Sequence, residues 1–227
     1  LGEVDIIKSI QLLPGVTNSG EGTGGFNVRG GAVDQNLVLL DEAIIYNTSH
    51  LLGFFSVFNA DAIKDIKLYK GSIPAKFGGR VSSVLDVRQK DGNNKAFNLT
   101  GGIGSISSRL AAEGPLFKEK GSFLVAGRTS YINLFLKAAG EENSLSFYDL
   151  NLKSNYNINE NNKLFVSGYL GRDNFKFEGG FSNAYGNVTG NIRWNHIFND
   201  KLFSNLTTIY SEYYYDLTLD LFEFDWK

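Results

Sequence analysis

The sequence predicts a small α+β domain over residues 1–92, followed over residues 93–227 by part of an antiparallel transmembrane β-barrel. Three observations predict it. The first ninety residues alternate short apolar runs with glycine-rich turns. The later residues alternate apolar and polar side chains with a period of two, which is typical of strands between lipid and a wet lumen. The connections between these later strands also differ in length, as at the two rims of a barrel.

Composition excludes several classes of protein. The chain has 227 residues, a net charge of −2 and no cysteine. The nearly neutral charge offers no basic surface for a nucleic-acid partner. Because cysteine is absent, disulfides, thiolate metal sites and cysteine nucleophiles are excluded. No apolar run approaches the length of about 18 residues needed for a membrane helix. The chain starts without Met or a signal segment, so we expect an internal portion of a longer polypeptide.

The N-terminal domain is predicted to be built from short elements. Apolar residues at helical spacing predict a helix over residues 3–13, which Pro14-Gly15 ends. Asn59 is predicted to cap a single helical turn that runs to Ile63. The break at 91–94 is the predicted domain boundary. Short strands are predicted at 26–29, 37–40, 44–46, 66–70 and 84–88.

Several motifs of this domain occur in a characteristic order. They are Val28-Arg29-Gly30-Gly31, Asn36-Leu37-Val38-Leu39-Leu40-Asp41, Leu68-Tyr69-Lys70-Gly71, Phe77-Gly78-Gly79-Arg80 and Val84-Leu85-Asp86-Val87, preceded by Gly2-Glu3-Val4-Asp5 and Gln11-Leu12-Leu13-Pro14-Gly15-Val16. In this order and spacing the sequence resembles the plug domain of TonB-dependent outer-membrane receptors. Two residues depart from the usual pattern: Glu42 replaces a common glycine, and Lys67 replaces a common acidic residue.

The resemblance implies a function and a location. It implies a plug that acts as the gate of a barrel of about 22 strands, with most of the barrel missing here, and active import of a ligand across the bacterial outer membrane. The implied partners are a TonB-type energy-transducing complex, outer-membrane lipid, and a surface lipoprotein or other outer-membrane subunits. The ligand is open among metal chelates, cobalamin, glycans and peptides, and no cofactor is implied. The energy-coupling box of the family would precede Leu1.

The same resemblance assigns candidate gate residues. Arg29 and Arg80 are expected to pair with acidic groups on the barrel wall, and exchanging both for Gln should raise ion leak through the pore. The glycines allow positive φ or close approach of the wall. The candidate gate residues are Arg29, Gly30, Gly31, Asp34, Asn36, Asp41, Lys70, Gly71, Phe77, Gly78, Gly79 and Arg80.

A second set of residues is the candidate ligand-facing surface. The resemblance places the stretch from Tyr46 to Phe58 toward the outside of the cell. Its polar members Tyr46, Asn47 and His50 are the candidates for contact with a ligand. Packing in the core is the alternative for the aromatic residues Phe54, Phe55 and Phe58.

The predicted barrel strands show one polar face and one apolar face. Tyr148, Leu150 and Leu152 alternate with Asp149 and Asn151, and the pattern recurs over 187–198. Further strands are predicted at 96–113, with a tight turn near Gly104, and at 121–136, 163–173 and 201–217. Short connections (114–121, 157–162, 198–201) alternate with long ones (137–146, 173–185), and the resemblance places the long ones outside the cell.

Other motifs have simpler explanations. The glycine-rich residues 20–25 lack the Lys-Ser/Thr ending of a phosphate-binding loop. His50 and His196 form no predicted metal pair, and residues 91–94 and 172–174 fit turns better than calcium loops. Residues 213–215 fit an aromatic girdle better than a sugar-stacking surface, and at most two of these tyrosines share a face.

No set of catalytic side chains is visible, so the chain is predicted not to be an enzyme. Two alternatives to import remain open. One is a receptor-like barrel that serves as a scaffold subunit of an outer-membrane assembly or secretion complex. The other is a soluble β-rich glycan-binding module, which the two-faced strands disfavour.

Overall fold

The computed structural model describes residues 4–20 and 24–219, which form an N-terminal α+β domain and a large antiparallel sheet. Gly2-Glu3 of the first motif, Glu21-Gly22-Thr23 of the glycine-rich stretch and the end of the chain at Asp225-Trp226-Lys227 lie outside the described residues. The elements are β1 (Val16–Asn18), β2 (Phe26–Val28), β3 (Asn36–Leu40), β4 (Ala43–Ile44), β5 (Ser49–His50), β6 (Phe55–Ser56), β7 (Ile63–Tyr69), β8 (Ser83–Gln89), β9 (Asn98–Ile103), β10 (Ser107–Leu116), β11 (Gly121–Ser130), β12 (Ser144–Asn159), β13 (Asn162–Phe177), β14 (Phe181–Asn199) and β15 (Leu202–Leu219), with helices α1 (Ile6–Gln11) and α2 (Ile132–Ala138).

The N-terminal domain is built on a four-stranded sheet in the order β4-β3-β8-β7. Strand β3 is buried at every position and pairs in parallel with β8, as expected of a central strand covered on both faces. One face packs under α1 through Val38 and Leu40, and the other packs Leu37 and Leu39 against Val84. The domain therefore has a core between α1 and its own sheet, to which Tyr169 of the large sheet also contributes.

The first helix follows from local sequence. The carboxylate of Asp5 accepts a hydrogen bond from the Lys8 amide at 2.9 Å, which caps the helix start. Ile6, Ile7 and Ile10 bury one face, and the helix ends at Gln11, slightly earlier than predicted.

The predicted helical turn after Asn59 is wrong. Asn59 Oδ1 instead accepts the Asp61 amide at 3.0 Å and closes a turn that leads directly into β7 at Ile63. Asparagine competes for backbone hydrogen bonds in this way in turns as well as at helix starts.

The large sheet has seven strands, each antiparallel to the next along the chain, in the order β9 to β15. Its predicted alternation is confirmed: Tyr148 and Leu150 are exposed on the outer face, whereas Asp149 and Asn151 are buried on the inner face. The inner face is buried because the N-terminal domain packs against it. The predicted hairpin near Gly104 is also confirmed, since β9 pairs with β10.

The connections at the two ends of the strands differ from the prediction in detail. We call the end with the connections at 117–120, 160–161 and 200–201 the lower rim, and the opposite end the upper rim. The lower rim has these short connections, as predicted. At the upper rim, the strand predicted over 121–136 ends at Ser130, and α2 follows. No helix of the described residues is long and apolar enough to cross a membrane.

The long loop predicted over 173–185 is wrong. Strands β13 and β14 continue as a paired ladder to Phe177 and Phe181. Only residues 178–180 connect them, and Gly179 and Gly180 adopt positive φ values of 93° and 82° in this tight turn. Polar residues in this stretch alternate with aromatic ones and therefore extend the strands rather than forming a loop.

Candidate functional site: the interface between the N-terminal domain and the inner face of the sheet

The N-terminal domain is held on the inner face of the sheet by two groups of charged side chains. The upper cluster lies near the upper rim, and the lower cluster lies closer to the lower rim. The upper cluster comprises His50, Arg128, Asp149, Tyr169 and Asp173. The lower cluster comprises Asp41, Glu42, Asp91, Lys153 and Arg193.

The segment that carries His50 is held in a tight fold. Strands β5 and β6 pair with each other as Ser49 with Ser56 and His50 with Phe55. Between them the chain reverses at Leu51 and Leu52, which adopt the left-handed region with φ of 49° and 55°. Leucine rarely adopts this region, so the surrounding packing and the hydrogen bonds to the sheet must hold this conformation.

The upper cluster is a buried network around the His50 ring. Its Nδ1 lies 2.6 Å from Asp173 Oδ2, and its Nε2 lies 3.3 Å from Asp149 Oδ2. Arg128 Nε donates to the same Asp149 oxygen at 2.8 Å. The side chains of the two histidine–aspartate pairs and of the Arg128–Asp149 pair are at most 2% exposed. Burial of this kind requires paired charges.

Two backbone contacts tie the same network to the N-terminal domain. Arg128 Nη2 donates to the Ser56 carbonyl at 2.7 Å, and the Leu51 amide donates to Asp173 Oδ1 at 2.8 Å. Three strands of the sheet, β11, β12 and β13, therefore all contact the hairpin formed by β5 and β6.

The protonation equilibrium of His50 is shifted by this environment. Burial of the ring disfavours the charged form, but the hydrogen bonds to Asp149 and Asp173 and their negative charges outweigh it. The pKa of His50 is therefore raised above its ordinary value of 6.5.

The lower cluster is centred on the turn between β3 and β4. Asp41 and Glu42 both adopt positive φ, 48° and 75°, and connect Leu40 to Ala43. This is the turn geometry that usually selects glycine. Lys153 Nζ contacts both carboxylate oxygens of Asp41 at 3.1 Å, and Arg193 Nη2 lies 2.7 Å from Glu42 Oε1. Glu42, which stands where a glycine is common, thus gives the turn a second charge that pairs with the sheet.

The lower cluster borders a cavity of about 250 Å³ between the domain and the sheet. Lys64, Asp65 and Arg88 line it together with members of the cluster. The Glu42 side chain is 38% exposed and the Arg193 side chain 27%. The Glu42–Arg193 pair is therefore accessible to water and salt, whereas the Lys153 and Asp41 side chains are only 11% and 9% exposed.

Uncharged groups add to the interface between the clusters and above them. Asn187 Oδ1 accepts the backbone amides of Tyr46 and Asn47 at 3.0 and 3.2 Å, and its Nδ2 donates to the Asn47 carbonyl at 2.8 Å. The Tyr46 ring lies 6.2 Å from the ring of Tyr213. Asp61 and Arg109 form a further ion pair between the domain and β10.

The predicted ligand-facing residues are in different environments. Tyr46 is 51% exposed, whereas His50 is 1% exposed and is bonded to the sheet. His50 is therefore not accessible to a ligand in this arrangement. Phe54 is 61% exposed, whereas Phe55 and Phe58 are each 1% exposed and belong to the core.

Most of the predicted gate residues lie away from the described strands of the sheet. Arg29 and Arg80 are exposed, and neither forms an ion pair within residues 4–20 and 24–219; their role as locks stays a prediction. Arg29 approaches Gly71 so closely that a Cβ there would lie 3.0 Å from its Nη1. Lys70 Nζ donates to the Pro14 carbonyl at 2.7 Å.

The remaining gate candidates support the domain itself. Asn36 is buried, donates to the Phe26 carbonyl at 2.7 Å and accepts from Ser83 Oγ at 2.6 Å. Phe77 packs on Tyr69 with ring centroids 5.6 Å apart. Gly30 and Gly79 adopt positive φ, Gly31 approaches Ser82, Gly78 has open space at its Cβ position, and Asp34 lies in a 3₁₀ turn over Val33–Gln35.

Of the most buried charged members of the interface, His50 was a sequence candidate, whereas Asp173, Asp149 and Arg128 were not. Asp173 was assigned to a turn over 172–174, which is wrong: it lies within β13, opposite Tyr185. Asp149 and Arg128 also lie in strands, opposite each other on β12 and β11. The sequence signal that could have identified them was the presence of charged residues on the polar face of the predicted strands. The turn expected over 91–94 is present, since Asn93 Oδ1 accepts the Lys95 amide at 2.8 Å.

Within the described part of the chain, no group of three or more His, Cys, Asp or Glu side chains is arranged to hold a metal ion. The tyrosines at 213–215 alternate between the two faces, as predicted, but the predicted aromatic girdle is wrong for the two that face inward. Tyr213 and Tyr215 share the inner side with Asn187 and Tyr185, and Tyr214 lies on the other side near Gly171.

A compact α+β domain docked on the polar face of an open seven-stranded sheet, whose other face is apolar, matches the arrangement of a plug against part of a barrel wall. Comparison with known proteins supports this interpretation of the fold. Residues 1–84 match the family model for the TonB-dependent Receptor Plug Domain. The match covers less than half of the chain, and the described residues have the fold of a TonB-dependent receptor. A search of curated proteins gave no significant match.

Solved structures show how much of such a receptor is present. The siderophore receptor PirA from Acinetobacter baumannii is 16% identical with a TM-score of 0.68, covering 93% of this chain and 38% of the receptor. BauA, the ferric preacinetobactin receptor from A. baumannii, is 13% identical with a TM-score of 0.65, covering 90% and 34%. The copper transporter OprC is 11% identical with a TM-score of 0.64, covering 94% and 34%. This chain thus spans little more than a third of the length of each of these two receptors and one transporter.

Proposed function

We propose that this chain is the plug and first wall strands of a transporter that imports a ligand across the bacterial outer membrane. The observation that carries the proposal is the docking of residues 4–90 on the inner face of the sheet through two charged clusters. A gate must fill the lumen and must also be able to leave it. Ion pairs and hydrogen bonds suit a contact that forms and breaks, and they accompany small apolar clusters that join Phe55 to Phe147 and Ala62 to Ala126.

The energy for opening would come from a TonB-type complex that pulls on the plug. The wall strands face outer-membrane lipid on the side of Leu150 and Leu152, which are 37% and 43% exposed. In this arrangement Arg29 and Arg80 are proposed to pair with acidic wall residues that lie outside the described strands.

The ligand is proposed to approach the upper rim. Tyr46, Asn47 and Tyr213 form an exposed polar and aromatic surface there, supported by Asn187. Siderophores and copper are named for the similar solved receptors, and for this chain metal chelates, cobalamin, glycans and peptides all remain candidates. An exposed Phe54 beside a cavity of about 310 Å³ adds apolar surface to the same side of the plug.

Growth of a deletion strain tests the import function. The strain is supplied with one scarce nutrient at a time: a ferric chelate, cobalamin, an oligosaccharide or a peptide. We expect growth on one of them to depend both on this protein and on the energy-transducing complex. Normal growth on every source, with an altered composition of outer-membrane complexes, would contradict import and favour the scaffold alternative.

A further inference from the structure

The His50 ring has a carboxylate at each of its two nitrogens. Nδ1 is 2.6 Å from Asp173 and Nε2 is 3.3 Å from Asp149. A neutral imidazole has only one N–H, so one nitrogen would direct a lone pair at a carboxylate. The protonated ring donates to both. The geometry therefore fits the imidazolium cation.

The balance of charge around the ring leads to the same conclusion. Among residues 4–20 and 24–219, the charged groups in contact with the network are Arg128 on β11, Asp149 on β12 and Asp173 on β13, together with His50 on β5. Two carboxylates and one guanidinium leave a net charge of −1, which a protonated His50 neutralises. An unneutralised charge at this depth is costly. The Phe147 ring, stacked on His50 with centroids 4.5 Å apart, also favours a cation.

The network contains a partner for the neutral ring as well. The hydroxyl of Tyr169 lies 3.3 Å from His50 Nε2. Once the ring loses its proton, Tyr169 can donate to that nitrogen, while Nδ1–H still donates to Asp173. The contact between His50 and Asp149 is then lost, and with it the link from the plug to β12 through this ring.

We propose that His50 is a proton-operated latch, whose protonated ring bridges Asp149 and Asp173 and holds the segment from Ser49 to Ser56 on the wall. The direction of the pH dependence follows from the raised pKa of His50. Its contribution is fully present below the ordinary value of 6.5 and is lost as the pH rises through the higher value of the folded protein. Alkaline conditions therefore loosen this end of the plug. The mechanical consequence rests on the proposed gating function, whereas the charge of the ring does not.

Nuclear magnetic resonance of the full-length protein labelled with ¹⁵N-histidine tests the charge. We expect the pair of ring signals that disappears in His50→Gln to have imidazolium shifts at pH 7 and to titrate above 6.5. Asp173→Asn should lower that midpoint by about one pH unit or more. Tyr169→Phe removes the partner of the neutral ring and should raise it. A ring that is neutral at pH 7 would overturn the proposal.

Hydrogen exchange of the same protein tests the latch. After correction for base-catalysed exchange, protection of residues 49–56 should fall about tenfold or more between pH 6 and pH 8.5. Tyr169→Phe should shift this fall to higher pH, and His196→Gln, at the outer face, should leave it unchanged. A charged His50 with pH-independent protection would overturn the latch while leaving the import function standing, since the growth assay is scored separately.

Discussion

The upper and lower clusters join the same two parts of the molecule by different physical means. In the upper cluster the paired side chains of Arg128, Asp149 and His50 are at most 2% exposed. In the lower cluster Glu42 and Asp91 are each 38% exposed and a cavity lies beside them. With a protonated His50 the upper cluster balances its charges out of contact with water, whereas the lower cluster has three carboxylates for two cations and lies beside a cavity.

This difference determines what each cluster depends on. Buried charges are stable only as a complete set, because removal of one partner leaves another without solvent or counter-charge. Partly exposed charges beside an open cavity tolerate a missing partner but are weakened by salt. The upper cluster should therefore depend on composition and protonation, and the lower one on ionic strength.

The largest effect is expected for Asp149→Asn. The substitution leaves Arg128 and the His50 ring without their shared anion, and should lower the free energy of opening of residues 49–56 by about 3–5 kcal/mol. Hydrogen exchange measured by mass spectrometry reports this free energy. Asp65→Asn is the matched control, because Asp65 and its partner Lys67 are 46% and 52% exposed, and it should change stability by less than about 0.5 kcal/mol. Equal effects of the two substitutions would contradict the distinction between buried and wet clusters.

A smaller effect is expected for Lys153→Met. Lys153 also donates to the Gln89 carbonyl at 3.1 Å, so we expect a loss of about 1–3 kcal/mol in the unfolding of the plug by urea. The loss should shrink in part when salt is raised to about 0.5 M, because Asp91 is 38% exposed whereas Lys153 and Asp41 are only 11% and 9% exposed. Lys176→Met, at an exposed position of β13, is the control. A loss that is independent of salt would show that the lower cluster behaves as a buried one.

The smallest effect is expected at Glu42, where strain and pairing oppose each other. Glu42→Ala removes the pair with Arg193 and keeps a side chain at φ 75°, so it should destabilise by about 0.5–1 kcal/mol. Glu42→Gly also removes the pair but relieves the strained backbone, so it should be nearly neutral. The urea midpoints of the two variants compare these terms directly. If Gly is the more destabilising of the two, the turn is not strained.

The fold was largely predictable because its signals are local. The apolar run of β3 and the period of two around Leu150 each reflect burial of a particular face. The helix α2 was missed because its residues alternate well enough to resemble a strand. The extension of β13 past Asp173 was missed because polar residues near glycines resemble a turn.

The interface was less predictable, because its partners are far apart along the chain. His50 and Asp173 are separated by 123 residues, and nothing in the composition of either neighbourhood identifies the other. Glu42 was recognised as a departure from the family pattern, but its pairing with Arg193 depends on the register between the plug and β14. Resemblance directed attention to Arg29 and Arg80, whereas the described contacts are made by other residues.

The turn at Asp41 and Glu42 also has a consequence for the order of assembly. Two adjacent carboxylates on a left-handed turn repel each other until Lys153 and Arg193 are in place, and both of these are synthesised more than a hundred residues later. A newly made N-terminal domain therefore has an electrostatic reason to remain incompletely folded until the wall strands arrive. In this chain the wall would act as a template on which the plug completes its folding.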